Sequence, residues 1–334
     1  MKPGLVPWLA CPQCRGSLKG KHSGESDIQS GVLACSRCGR EYPIADSIPR
    51  LFPETVLNDP SRRTQERFAW EWERYPGILK EDRRVFLAET QIPEGLWKEQ
   101  RVLDVGCGMG RYSRVAVSLG AEVVAFDLSD AILRMVEDAK REARLHLVQG
   151  DVLYPPFQEN QFDIVFSQGV LHHTADTQQA FRRAASLVRH GGLLSVWVYG
   201  SPGSYRNFAT NPLRPGREWL SRIRPLIWLI VWVRLLLSDF IRVFTTRMPT
   251  FLLYAACFPL AVLGGIPGFR YLTFSAHPDF RVRLHENFDW LAPPYQHKHT
   301  KEEVRGWFEA AGFSDLKVLP HGVVPKIGIV GRKV

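Results

Sequence analysis

Several absences narrow the reading of this chain before any motif does. Its first ten residues lack a secretory leader, because the short apolar run from Met1 to Ala10 is broken by Pro3 and Pro7. The expectation is a cytoplasmic protein. A clean membrane span is also missing. Pro225 to Phe244 is interrupted by Arg234 and Asp239, and Met248 to Phe269 by Pro249, Pro259, Gly264-Gly265 and Pro267. Cysteine is scarce, six in 334 residues, and four of the six stand in two close pairs. What remains is 45% hydrophobic, enough for one large core with an appendage.

The cysteine pairs are Cys11-Pro-Gln-Cys14 and Cys35-Ser-Arg-Cys38. Each CxxC forms a knuckle whose two thiolates converge on one ion, and a second knuckle completes a tetrahedron. Two disulfides would suit an exported chain, which the N-terminus does not suggest. The spacing predicts a structural zinc ion in a ribbon over residues 1–53. A segment of this size cannot bury enough core alone, so a metal is its natural staple. Four thiolates leave no open coordination position for catalysis.

The most informative stretch is Arg101-Val-Leu-Asp-Val-Gly-Cys-Gly-Met-Gly-Arg-Tyr112. An apolar β run carries Asp104 into a turn of alternating glycines, Gly106, Gly108 and Gly110, and an amphipathic helix follows. Glycine has no Cβ, so such a turn lets a ligand lie against backbone. A dinucleotide fingerprint would need glycine where Arg111 stands, which makes a phosphate cradle the weaker reading.

Three further β runs end in polar residues. Glu122 to Phe126 leads into Asp127, where a carboxylate can accept both ribose hydroxyls. Leu145 to Gln149 leads into Gly150-Asp151, placed to accept from an adenine amino group. Phe162 to Phe166 opens into Ser167-Gln168-Gly169-Val170-Leu171-His172-His173. In this order the stretch resembles the class I S-adenosylmethionine-dependent methyltransferases, in particular the quinone-biosynthesis and natural-product branch, over roughly residues 65–200 and 285–334. The resemblance implies a seven-stranded, Rossmann-like α/β sandwich. It implies that Asp104, Gly106, Gly108 and Gly110 hold the methionine end of S-adenosylmethionine. Asp127 would take the ribose and Asp151 the adenine amino group, with Ser167 and Gln168 lining the sulfonium side. The core is expected over residues 101–200 and 286–334.

Residues 5–53 resemble the zinc-ribbon activator subunits of tRNA and protein methyltransferases, here fused to the enzyme. Residues 54–100 read as a linker followed by helices, with Ser61 to Arg74 and Tyr75 either a lid over the cofactor or a helix packed on the sheet edge. After the fifth strand, Leu193 to Val198, an insertion occupies 201–285. It holds eleven arginines, no lysine and three acids (Glu218, Asp239, Asp279), an excess of +8 against +9 for the whole chain. A local excess suggests a partner rather than solubility tuning. Apolar helices beside arginine and tryptophan suit a cap over a greasy pocket, an anionic membrane surface at the inner face, or both. Nucleic acid is disfavoured, because the basic residues alternate with large aliphatics.

Methyl transfer requires alignment and a proton acceptor. His172 and His173, just after the fourth strand, are the expected base, either one serving. Tyr295 and His297 are expected substrate contacts, and Thr300 with Glu303 the capping box of a helix over 301–311. The leading expectation is methylation of a small or lipophilic acceptor, most plausibly at oxygen. An RNA-modifying methyltransferase with a built-in activator is the first alternative. A non-catalytic cofactor-binding scaffold is the second, disfavoured because Asp104, Asp127 and Asp151 are all present.

Overall fold

The β runs around Asp104, Asp127 and Asp151 pair side by side in a computed structural model of the chain. It describes residues 1–21, 27–53, 59–75, 77–201, 224–267, 269–275, 277–319 and 326–334. The N-terminal strands are β1 (Leu18–Lys21), β2 (Gly31–Cys35), β3 (Glu41–Ala45) and β4 (Ile48–Leu51). The parallel strands are β5 (Arg101–Val105), β6 (Glu122–Asp127), β7 (Leu145–Gly150), β8 (Phe162–Gln168) and β9 (Val188–Tyr199). Strands β10 (Phe313–Val318) and β11 (Lys326–Lys333) close the sheet as an antiparallel pair. The sequence pattern reads as last strands over Phe313 to Leu319 and Val323 to Val330, and Val323 lies outside the described residues.

The sheet runs β1-β2-β3-β4-β7-β6-β5-β8-β9-β11-β10, so it has eleven strands rather than the seven expected. The added four are the ribbon's own. Strand β4 pairs in parallel with β7, Arg50 opposite Gln149 and Leu51 opposite Gly150. A parallel sheet leaves its edge strand with unpaired backbone groups, and the ribbon supplies the partner. The ribbon thereby shares a core with the larger unit: Leu5, Leu9, Leu33, Tyr42 and Leu51 join one cluster with Val148, Phe157 and Phe162. Lys2 fastens the joint, its Nζ donating to the carbonyls of Ala139, Glu142 and Leu145, each at 2.8 Å.

Alternation along the central strands sends side chains to both faces, as a doubly covered sheet demands. In β6, Val124 and Phe126 face the ribbon side, while Val123 and Ala125 face the other. The first face is covered by α5 (Thr177–Leu187) and α9 (Lys301–Ala310) through Phe181, Ala184, Val304 and Phe308. The second is covered by α2 (Asp82–Thr90), α3 (Arg111–Ser118) and the segment before α4 (Val136–Arg141), through Phe86, Val115, Ala116, Ile132 and Met135. Helix α9 carries the expected capping box, Thr300 and Glu303 each bonding the other's backbone amide.

Strand order reverses between β5 and β8, which opens a crevice at their carboxyl ends, the usual ligand position in such sheets. Helix α1 (Asp59–Arg74) lies over that crevice. So does α8 (Phe280–Leu291), which packs with α6 (Arg224–Thr245) and α7 (Thr250–Leu263) in a helical layer. This layer has its own apolar cluster, including Leu235, Leu253, Cys257, Leu284, Phe288 and Trp290. The boundary read at residue 285 falls inside α8, because that helix continues unbroken from the insertion into the core. Among the described residues, no helix is long and apolar enough to cross a membrane.

Candidate functional site

The glycine turn is built by backbone conformation. Gly106, Gly108 and Gly110 have φ of +79°, +53° and +80°, a region costly for other residues. Space is equally tight: a Cβ on Gly110 would lie 2.1 Å from the Met135 sulfur, and one on Gly106 2.3 Å from a Val170 methyl. Asp127 locks the turn from the neighbouring strand. Its Oδ2 accepts from the Gly108 amide at 2.7 Å, and its Oδ1 accepts from both the amide and the hydroxyl of Ser129 at 2.7 Å.

Around this turn lies a cavity of about 420 Å³, within the range of small-molecule sites. Asp104, Gly106, Asp127, Asp151 and Gln168 all line it, five of the eight cofactor positions expected from the sequence. Asp104 is buried and accepts from Ser113 Oγ at 2.6 Å; burial pushes its carboxyl up to about 7, with Asp127 adding to the rise. Asp151 accepts from the Leu153 amide at 2.8 Å, and burial raises it above the ordinary carboxylate range. Gln168 is oriented by donating to Ser195 Oγ at 3.0 Å. Ser167 lies behind the wall, fully buried, and ties β8 to β5 through Val105 O at 3.0 Å. Gly108 and Gly110 likewise shape the turn from outside the lining.

The two histidines separate. His173 lines the cavity; its Nδ1 lies 2.9 Å from the Tyr295 carbonyl, which makes Nδ1 the donor and leaves Nε2 as an acceptor. Burial lowers its pKa to about 3, so the ring is neutral at physiological pH. His172 is behind the wall, wedged between His173 and Tyr199 with ring centroids 4.1 and 3.9 Å away. Tyr295 and His297 are also outside the lining. They belong to a strut: His297 donates its amide to His172 O at 2.9 Å, and its Nε2 lies 3.1 Å from Thr174 O.

Several wall residues carry no motif. Helix α1 contributes Phe68, Glu71 and Trp72, followed by Tyr75, so it covers the crevice rather than only the sheet edge. The helical layer contributes Phe274, Glu286, Asp289 and Trp290. Glu89 and Lys326 form a partly buried pair at 2.6 Å, and the Lys326 ammonium lies 4.3 Å from the Trp197 ring centroid. The sequence signal for Glu286 and Asp289 was their i, i+3 spacing beside Trp290, which marks a helix face without telling what it faces.

The cysteine cluster stands apart from the cavity. Its four sulfurs lie within 4.8 Å of one another, with Cys11 to Cys38 at 3.7 Å and Cys14 to Cys35 at 3.5 Å. Four thiolates around zinc at about 2.3 Å would stand about 3.8 Å apart, so the spacing fits the ion. The backbone is wrapped tightly here: a Cβ on Gly16 would lie 2.9 Å from the Cys35 sulfur. Cys11, Cys14, Cys35 and Cys38 are the residues that would hold zinc, and the ion would supply cross-linking rather than chemistry.

Comparison with known proteins agrees with this division. Residues 103–196 match the model of the methyltransferase domain family, and residues 2–47 that of the Trm112p-like proteins. An uncharacterized methyltransferase of Mycobacterium tuberculosis is 33% identical over 121 residues, 36% of this chain and 59% of its own length. A malonyl-acyl carrier protein O-methyltransferase of Enterobacter lignolyticus is 38% identical over 95 residues, 28% of this chain and 37% of its own. Among solved structures, Haemonchus contortus phosphoethanolamine N-methyltransferase 2 superimposes with a TM-score of 0.47 at 16% identity, covering 88% of this chain and 63% of that one. The chain thus spans little more than half the length of the mycobacterial relative it matches. It carries a methyltransferase domain preceded by a Trm112p-like segment that holds the four-cysteine cluster.

Proposed function

We propose that this protein methylates a small acceptor, at oxygen, inside the cavity that runs from the glycine turn to His173. The observation that carries the reading is the continuity of that cavity: Asp104, Asp127 and Asp151 line the same space as His173, Tyr75 and Trp290. S-adenosylmethionine, when bound, supplies a methyl group on a sulfonium that is displaced in line, leaving S-adenosylhomocysteine. The chain's part is to hold both reactants and to take a proton. Asp127 and Asp151 bind the nucleoside end, and the glycine turn lets it lie close to backbone. His173, oriented by the Tyr295 carbonyl, receives the acceptor's hydroxyl proton on Nε2 late in the transfer, when bonding to the methyl group has made that oxygen acidic enough for so weak a base. Helix α1 and the helical layer exclude water.

The test is incubation with methyl-labelled S-adenosylmethionine and a metabolite extract, with RNA and protein added in parallel. Label is expected in the small-molecule fraction and should fall at least about 100-fold in His173→Phe, the low end of what general-base catalysis contributes. Label confined to RNA or protein would overturn the reading.

The outer faces of α6 and α7 add a second element. Leu237, Phe240 and Phe244 on α6, and Phe251 and Phe258 on α7, are exposed, Phe240 by 64% and Phe251 by 65%. Large exposed apolar side chains in this number mark an interaction surface. The insertion also carries a charge excess of +8, part of it on arginines 206, 214, 217 and 222, which lie outside the described residues. The reading is a lipid-facing cap, its inner side walling the cavity and its outer side resting on an anionic membrane at the inner face. Each arginine near such a surface contributes about 1 kcal/mol. The protein should sediment with anionic liposomes more than with neutral ones, and added salt should narrow the gap. Phe240→Glu with Phe251→Glu should abolish sedimentation while S-adenosylhomocysteine still binds. Wild type that ignores both liposome types would defeat the membrane reading.

A further inference from the structure

One wall of the cavity is acidic, and no described cation forms an ion pair with it, although Lys326 and Arg242 lie near enough to favour the Asp289 carboxylate. Glu71 on α1 is 3% exposed, lines the cavity, and its Oε2 has no hydrogen-bond partner among the described residues. A buried carboxyl oxygen left unpaired is costly, which points to a group that arrives from outside. Glu286 and Asp289 line the same space from α8, one helical turn apart. Their partners among the described residues are hydroxyls: Glu286 accepts from Ser275 Oγ, and Asp289 accepts from Tyr199 OH at 3.3 Å. The cationic side chains lining the cavity are engaged elsewhere. Lys326 pairs with Glu89, Arg111 with Asp82, and His277 lies 2.9 Å from Glu81.

The three carboxyls feel one another. Burial raises Glu71 well above the ordinary carboxylate range, and Asp289 and Glu286 raise it further. Burial likewise pushes Asp289 up to about 7. A positive charge placed among them would relieve desolvation and mutual repulsion together. The remaining surroundings are aromatic. The Trp290 ring stands 4.6 Å from that of Tyr199 and lies stacked on Phe274 at 5.3 Å. Carboxylates with aromatic faces are the chemistry that selects ammonium groups.

We propose that the acceptor side of the cavity recognises a cationic amine, whose ammonium group sits among Glu71, Glu286 and Asp289 and against the rings of Tyr199, Trp290 and Phe274. The proposal rests on the methyl-transfer reading above, since it assigns the acceptor's class. The ammonium anchors the molecule while its hydroxyl faces His173.

The test compares each amine with its neutral isostere on the full chain holding S-adenosylhomocysteine: choline against 3,3-dimethylbutan-1-ol, and tyramine against 4-ethylphenol. Calorimetry should find at least one ammonium probe bound about tenfold or more tighter than its isostere, the size expected of a desolvated cation–π contact with charge pairing. Glu71→Gln and Asp289→Asn should each erase that preference while S-adenosylhomocysteine binds as in wild type. Both are near-isosteric and remove buried like charge, so both should fold. Failure of wild type to bind S-adenosylhomocysteine would instead sink the methyl-transfer reading. Intact cofactor binding with no preference for either ammonium probe would overturn this proposal alone. So would Glu71→Gln weakening S-adenosylmethionine but not S-adenosylhomocysteine, because the carboxyls would then serve the cofactor's own sulfonium.

Discussion

Cys35→Ser should release one zinc ion per chain and lower Tm by at least about 10 °C, since a loss of about 5 kcal/mol at about 2 °C per kcal/mol already gives that much. Structural zinc contributes about 10–16 kcal/mol of apparent binding free energy in isolated ribbons, as much as a whole domain's net stability. The effect should extend beyond the ribbon. Leu33 and Tyr42, on the strands flanking the knuckles, share a hydrophobic cluster with Val148 and Phe157 of the larger unit, and β4 supplies the partner for the edge of β7. Loss of the ion should therefore increase amide exchange along β7, while β5 and the glycine turn, four positions inward from β3, keep more of their protection. Elemental analysis and hydrogen exchange on the wild type and the variant measure both effects. A metal-free wild type with four freely titrating thiols would refute the assignment.

Asp127→Ala should weaken S-adenosylhomocysteine binding by at least about 100-fold. Two charge-assisted hydrogen bonds to ribose hydroxyls, at about 1.5 kcal/mol each, account for that much. The carboxylate has a second duty, because both of its oxygens already hold backbone, Gly108 on one side and Ser129 on the other. Asp127→Asn keeps one acceptor oxygen and should fall between wild type and alanine. Calorimetry on folded variants decides: unchanged affinity in Asp127→Ala would remove Asp127 from the site.

The contrast between the two histidines shows where sequence reading reaches its limit. His172 and His173 are adjacent, in a 3-10 turn whose start the preceding β run already marked. Neighbours in such a turn point in different directions, and only the packing of Tyr199 and Trp197 behind one of them assigns it to the interior. Ser167 and Gln168 divide in the same way at the end of β8, one side chain turned behind the wall and the other into it, as strand alternation requires. Tyr295 and His297 carried a polar pattern compatible with substrate contact, but the Tyr295 carbonyl holds His173 and His297 bonds His172 and Thr174, which makes them a strut under the wall.

Local covalent and backbone constraints are what the sequence by itself determined. Two CxxC knuckles bring four sulfurs together because each spacing closes within one tight turn. Alternating glycines after an apolar β run demand positive φ, whoever the neighbours are. Acids at strand ends fall at the carboxyl edge because parallel strands share one direction. Capping of α9 by Thr300 and Glu303 is settled within four residues. Tertiary structure alone decided that the ribbon's four strands extend the sheet, since edge pairing depends on which surface is left uncovered. It also placed Glu71 beside Glu286 and Asp289, residues more than two hundred positions apart in the chain. Each is an ordinary helix acid by local pattern, and its burial follows from α1 and α8 closing over the same crevice.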